Sequence, residues 1–353
     1  TMSYKRLQPE DLVISTDSVA GTVWSNNVPT LNSFFTSSNQ INSNIGQFYY
    51  TVYQTASTDT TAATQFDIAY ADRYGSGSQY YNALTPGYSP TGTTYGQFQT
   101  LILADETANF TFGNKTSDYF YVINLQRARY KQSILPGSLI LNLSNPNDIL
   151  SGSIVLTDDS QVATSVTFTD AGRVYNIVSG SAGTINTSKQ INGYTTVSGS
   201  YGYLLPDVGL ILLNGAALDV TQSAGGISLG TGRGNNVANN NPARLVNSLN
   251  AKGQIAGNQG TTGFTINNEE VLSSDFIFVR ARNNEFNYSE NPSFISGSTG
   301  ELIQSSFVDN PLTYITTVGL YNDSNELLAV AKLSRPLPKD FTKEMLVRVK
   351  LDF

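Results

Sequence analysis

A step of two runs through this chain and constrains its fold more than any other feature. Val347, Val349, Leu351 and Phe353 alternate with Arg348, Lys350 and Asp352, the pattern of a strand with one face buried and one in water. Such a strand needs a partner, in its own sheet or from another subunit. Tyr119, Tyr121, Ile123 and Leu125 repeat the step within 118–130. Elsewhere aromatic and β-branched runs are cut by Gly, Asn, Asp and Pro. The expected class is mainly β: antiparallel sheets or sandwich-like units, with one short helix and long irregular arms.

The cuts predict the turns. Pro136-Gly137 suits the centre of a type II turn, because Pro presets φ and Gly accepts a positive φ; it predicts that 138–143 returns as partner of the 118–130 strand. Asp170-Ala171-Gly172 between 162–168 and 173–178, and Asn322–Asn325 between 314–321 and 327–333, predict two further hairpins. Residues 201–213 read as one more apolar strand region, and 275–282 as another. The one expected helix opens at Asn241-Pro242, shares Leu245, Val246 and Leu249 on a face, and stops near Gly253.

At 353 residues the chain exceeds the usual span of about 100–200 per domain. It divides by pattern into an extended arm region at 1–96 with a tyrosine-rich loop, a β domain at 97–222, a Gly/Asn-rich linker with the short helix at 223–260, and a β region at 261–353. The stretch 70–99 carries Tyr74, Tyr80, Tyr81 and Tyr88 among Gly, Ser, Thr and Pro and shows no period. An ordered interaction arm, a self-packed loop and disorder all remain open for it, although tyrosine's amphipathic area favours order. No repeat of fixed length is present.

Composition enters through what it removes. With no Cys and no His, disulfides, thiolate nucleophiles, Cys/His zinc sites and His-based triads are out of reach. Catalysis would need paired carboxylates, a Lys or Tyr base, or an oxygen-ligated metal. The adjacent pairs Asp105-Glu106, Asp158-Asp159 and Glu269-Glu270 do not supply one, since strand neighbours point to opposite faces. Asp158-Asp159 reads as a turn between strands or a solvated charge, ahead of calcium ligation and acid/base catalysis. Gly225–Gly234 lacks the Lys-Ser/Thr of a phosphate loop and the spacing of a dinucleotide fingerprint, and reads as a flexible connection.

Net charge is −7, which offers no general attraction to nucleic acid or anionic lipid. No secretory leader or apolar span is evident, and a soluble protein is expected. Positive charge collects from Lys332 onward, where six cations face three carboxylates for a local +3, leaving −10 on the rest. That asymmetry suits contact between subunits, and equally a solvated basic strand face. Arg127 and Arg129 are expected on one strand face, either solvated or clamping acidic groups of a partner.

Several phrases resemble structural proteins of T4-like myoviruses that infect cyanobacteria: Val279-Arg280-Ala281-Arg282-Asn283, Phe286-Asn287-Tyr288-Ser289, Asn291-Pro292-Ser293-Phe294, Thr313 through Asn322, Glu326 through Pro336, Asp67 through Gly75, and Arg127 through Pro136. The resemblance implies a virion component of a contractile tail, with the baseplate as its place and the host cytoplasm as its site of assembly. It implies other baseplate or tail subunits as partners, several copies per particle and no catalytic residues; no nucleic acid or membrane partner, no cofactor and no metal is expected. The expected mode of action is strand pairing and tyrosine-rich contact through Tyr74, Tyr80, Tyr81, Tyr88, Arg127, Arg129, Arg348, Lys350 and Phe353. The rival readings are a tail module that binds host-surface polysaccharide, and an enzyme that cleaves it with distant carboxylates.

Overall fold

The computed structural model describes residues 4–37, 49–56, 58–75, 91–147, 153–186, 199–233, 241–251 and 263–352. In chain order the strands are β1 (Leu12–Thr22), β2 (Thr30–Leu31), β3 (Phe35–Ser37), β4 (Tyr49–Tyr53), β5 (Thr64–Asp72), β6 (Thr111–Phe112), β7 (Lys115–Thr116), β8 (Tyr119–Leu125), β9 (Ser133–Ile134), β10 (Ile140–Ser144), β11 (Ser153–Asp158), β12 (Thr167–Thr169), β13 (Gly172–Ser181), β14 (Thr184–Ile185), β15 (Gly202–Leu205), β16 (Leu210–Asn214), β17 (Phe264–Thr265), β18 (Asn267–Ala281), β19 (Thr313–Tyr321), β20 (Leu327–Lys339) and β21 (Met345–Asp352). The helices are α1 (Thr91–Leu103), α2 (Gly215–Asp219), α3 (Asn241–Ala251) and α4 (Ser306–Asp309). The fold is predominantly antiparallel β with few short helices. It forms two units, Val19–Glu270 and Thr1–Ser18 with Val271–Phe353.

In the larger unit one sheet runs β2-β17-β10-β11-β13-β15-β16-β8-β5-β4-β3. Laid flat, eleven strands would hold their outermost members about 48 Å apart. Yet β2 and β3 are joined by residues 32–34 alone, a reach of about 15 Å. The sheet therefore curls until its ends meet. Ring contacts record the closure: Phe66 of β5 lies 5.4 Å from Phe264 of β17, and Trp24 lies 4.8 Å from Phe264. The Trp24 Nε1–H donates to the Phe264 carbonyl at 2.9 Å, which satisfies the indole inside the core.

Alternation sorts the strands onto two cores. Tyr121, Ile123 and Leu125 of β8 face the enclosed side with Leu245, Val246 and Leu249 of α3, while Phe120 and Val122 face the other side with Tyr95 and Ile102 of α1. Central strands β8 and β16 are thus buried on both faces, and each large side chain so buried contributes roughly 1.5–3 kcal/mol.

Several expectations are corrected here. Strand β8 pairs with β16 and β5, and β10 pairs with β11 and β17, so 138–143 is not the partner of the 118–130 strand. A 3-10 turn at Arg127–Arg129 ends β8 early and turns the chain away. The Pro136-Gly137 turn itself forms, with Gly137 at φ +85° and Ser138 N–H donating to the Leu135 carbonyl. The 201–213 region is a hairpin of β15 and β16. Strand β12 pairs with β13 as predicted, but begins only at Thr167. Helix α3 begins at Asn241 with its three apolar residues buried; Gly253 lies outside the described residues. It is not the only helix: the supposedly periodless stretch ends inside α1.

The smaller unit carries the sheet β1-β18-β21 and a separate two-stranded ribbon, β19-β20. Strand β21 pairs with β18 from Ala281↔Met345 to Ser274↔Asp352. The alternation expected for this strand is present: Val349 is buried, Val347 and Leu351 are half-buried, and Arg348 and Lys350 are exposed. Among the described residues no helix is long and apolar enough to cross a membrane.

Candidate interaction surface

The ribbon is the least self-sufficient element of the smaller unit. Asn322–Asn325 turn the chain as expected, with Asn325 at φ +64° and the Asn322 N–H donating to the Glu326 carbonyl at 3.0 Å. Beyond the turn, β20 runs on to Lys339, and the four residues Leu333-Ser334-Arg335-Pro336 bulge out where only Thr316 stands opposite. Proline lacks the N–H needed to extend a ladder, so Pro336 and Pro338 blunt that end. The turn end has no such protection. There Val318, Leu320, Ala329 and Ala331 share one half-buried face, and Leu328 (68% exposed) and Val330 (59%) stand in solvent. Both outer edges of the ribbon lack a strand partner among the described residues. A two-stranded ribbon is marginal in water without a covered face.

Its base is held by a buried cation. Lys339 is 0% exposed, and its Nζ donates to the Asn283 carbonyl at 2.9 Å, Asn287 Oδ1 at 2.8 Å and the Asp340 carbonyl at 2.9 Å. Burial pushes its pKa below the usual lysine value, against the pull of Asp340, Glu285 and Glu344. Nearby, Lys5 donates to the Arg280 carbonyl at 2.6 Å and to Glu285 Oε2 at 2.9 Å.

The residues expected at interfaces fall in different settings. Arg348 and Lys350 lie over the Phe276 ring, 5.5 and 5.8 Å from its centre, and Lys350 also pairs with Asp352 at 2.8 Å. Strand β21 closes its sheet, with its far edge unpaired by any described strand. Arg127 and Arg129 sit on a 3-10 turn, not on a strand face. Arg127 lies over the Tyr130 ring at 4.7 Å and donates to its carbonyl at 2.6 Å; Arg129 donates to Ser25 Oγ at 2.6 Å. Both guanidiniums are thus engaged within the chain. Tyr74 is exposed. Tyr80, Tyr81, Tyr88 and Phe353 lie outside the described residues.

The carboxylates are structural in their geometry. Asp158 and Asp159 are buried, not solvated. Asp158 accepts from the Gly137 N–H at 2.7 Å, the Leu139 N–H at 3.2 Å and the Ser160 hydroxyl at 2.5 Å. Asp159 accepts from the Asn176 backbone and side chain at 2.9 and 2.8 Å. The Asp158 bonds fasten the Pro-Gly turn to the end of β11, and the Asp159 bonds fasten that end to β13. Asp72, also buried, accepts from the Tyr70 hydroxyl at 3.0 Å and from Arg233 at 3.3 and 3.4 Å. Arg233 lies 4.4 Å above the Tyr119 ring. Burial first, then the Asp72 charge, pushes the Tyr70 hydroxyl pKa well above its ordinary value, so Tyr70 stays a donor.

Arg233 belongs to the glycine-rich stretch, and the described part of that stretch is not a free connection. Ile227 and Leu229 are buried, and the Ile227 and Leu229 N–H groups donate to the Leu218 carbonyl at 3.0 and 3.2 Å. Gly225 at φ +93° accepts at its carbonyl from the Tyr201 hydroxyl at 2.8 Å. Among the described residues no group of three acidic side chains stands close enough to hold a metal ion.

Leu328 and Val330 are the surface residues that reading the sequence for tyrosines and charge overlooked. The adjacent apolar pair Leu327-Leu328 was the signal, because a strand whose two faces are both apolar outside a sheet interior has one face left to cover. Comparison of the chain with protein-family models, with curated proteins and with solved structures gave no match.

Proposed function

We propose that this chain is a non-enzymatic building block of a tailed-phage virion, a subunit of a contractile-tail baseplate that holds neighbouring subunits in register. The curled sheet serves as the sandwich-like body and the ribbon as the arm. One observation carries the assembly role: an apolar ribbon, with Leu328 and Val330 exposed, has both edges free among the described residues. Backbone pairing along such an edge gives alignment, and the apolar side chains give affinity. The placement in a virion rests on the sequence resemblance to cyanobacterial myovirus structural proteins. Tyr74, Arg348 and Lys350 add exposed contacts to this reading.

The test is incorporation. Tagged wild-type chain and a Leu328→Glu/Val330→Glu variant are expressed during infection of a cyanobacterial host, and particles are purified. Wild type is expected in the tail fraction, and the variant is expected to stay folded and soluble but be left out. Particles without the wild-type chain overturn the virion reading; equal incorporation of the variant overturns the role of the ribbon.

A further inference from the structure

Helix α1 leaves part of the outer sheet face uncovered. Between it and strands β4, β5 and β8 lies a cleft of about 190 Å³. Its floor and its polar rim follow from register. Ala69 pairs directly with Val122, and two residues along the same strands Asp67 pairs directly with Asn124. The apolar outer face thus ends in a carboxylate beside a carboxamide. Ala69 is too small to fill the space above it, and α1 adds Gln97 and Phe98 from the other side.

The polar groups are held open. Thr51 Oγ1 donates to Asp67 Oδ1 at 2.7 Å, which fixes the carboxylate and leaves Oδ2 without a donor among the described residues. Asn124 and Gln97 are exposed, and their amides make no hydrogen bond within the described residues. Among the described residues no Lys or Arg lines the cleft, so an anionic ligand would meet Asp67 with no described cation to offset the repulsion. A purely apolar ligand would cover the half-buried Asp67 carboxylate without giving it a donor, which is costly, and would leave the two carboxamides unused. A ring bearing several neutral hydroxyls answers all three, since hydroxyls donate to carboxylate and both donate to and accept from amides. Its C–H face would lie against Phe98 or Tyr49. Ligand sites for larger molecules span about 300–1,000 Å³, so this cleft takes a single ring.

We infer that the cleft between α1 and β4-β5-β8 binds one neutral sugar ring through Asp67, Asn124 and Gln97. It lies within the larger unit, and it uses none of the observations behind the assembly reading. The experiment is saturation-transfer NMR on the full chain. The probes are the methyl pyranosides of glucose, galactose, mannose and rhamnose, with the sodium salt of the methyl glycoside of glucuronic acid as the charged control.

Transfer to at least one neutral pyranoside is expected, none to glucuronate, and binding at least tenfold weaker in Asn124→Ala and Gln97→Ala. Both substituted residues are exposed, so the fold is kept, and circular dichroism checks it. No transfer to any neutral pyranoside overturns the inference, as does binding unchanged by either substitution or equal binding of glucuronate. A trisaccharide ending in the bound sugar separates two sources: tighter binding of the trisaccharide supports recognition of glycan ends, and tighter binding of the pyranoside supports a free sugar. Failure here leaves particle incorporation untouched, and failure of incorporation leaves the cleft untouched.

Discussion

The Lys339 ammonium donates to Asn287 Oδ1 at 2.8 Å, and both residues are buried. Together with the Asn283 and Asp340 carbonyls, this bond ties the last residue of β20 to the loop after β18. Lys339→Met keeps much of the side-chain volume but leaves three oxygens without a donor. Loss of that much buried hydrogen bonding costs about 3 kcal/mol. Backbone amides of β19 and β20 should then exchange with solvent about 100-fold faster, while those of β8 and β16 are unchanged. Equal protection of the ribbon in both proteins would show that the lysine does not anchor it.

Asp340 predicts an acid response from the same corner. The Thr342 hydroxyl, the Lys343 ammonium and the Thr342 N–H hold its carboxyl down to about 2, against 3.8 in the free side chain. The bonds are 2.6, 3.1 and 2.9 Å long. A carboxyl with a depressed folded-state pKa binds its proton more weakly in the folded chain. Its contribution is therefore complete above about pH 4 and is lost as pH falls through about 2. Wild type should exceed Asp340→Asn in melting temperature at about pH 5, and the difference should close by about pH 2. A difference constant with pH would sink the assignment.

In the larger unit, Arg233 offsets the buried Asp72 carboxylate, with Asp118 Oδ2 a further 3.8 Å neighbour. Among the described residues, Arg233→Met leaves that carboxylate with the Tyr70 hydroxyl and the Tyr74 N–H alone. Breaking a buried pair costs about 3–5 kcal/mol, and the partial exposure of Arg233 reduces this to about 2–3. Trp24 is the sole tryptophan and is buried in this unit, so its fluorescence in urea reports the loss. The double variant Asp72→Asn/Arg233→Met should be less destabilised than the sum of the single changes. Additive losses would mean that the two side chains act separately.

How much of this was written in the sequence depends on the range of the contact. The alternation of β21, the Pro136-Gly137 turn and the Asn322–Asn325 hairpin are set by neighbours along the chain, and each is present. Partner choice was not legible: β8 lies between β5 and β16 because the curled sheet brings them there, while a local reading favours the next strand. Helix α1 was obscured by its threonines and glycines, which are poor helix formers. Thr91, Tyr95, Gln99 and Ile102 are its buried residues, spaced by four, four and three, and that spacing was the available signal. The glycine-rich stretch 225–233 read as a linker since its own backbone N–H groups make the bonds, to the Leu218 and Val220 carbonyls and the Asp219 carboxylate, and composition does not reveal them.

Arg348 and Lys350 separate stability from contact. Each is exposed and lies over Phe276, an arrangement worth about 0.5–1 kcal/mol at the surface. Deleting 347–353 would instead remove most of the strand that pairs with β18 and expose its buried face, so any loss of assembly would reflect loss of fold. Arg348→Ala and Lys350→Ala avoid this. Each should leave the melting temperature within a few degrees of wild type while weakening association with tail subunits, measured by co-sedimentation at low and at high salt. A basic face that meets an acidic neighbour loses affinity as salt rises, and the two variants should flatten that dependence. Wild-type association that ignores salt and both substitutions would assign this face to solvent alone.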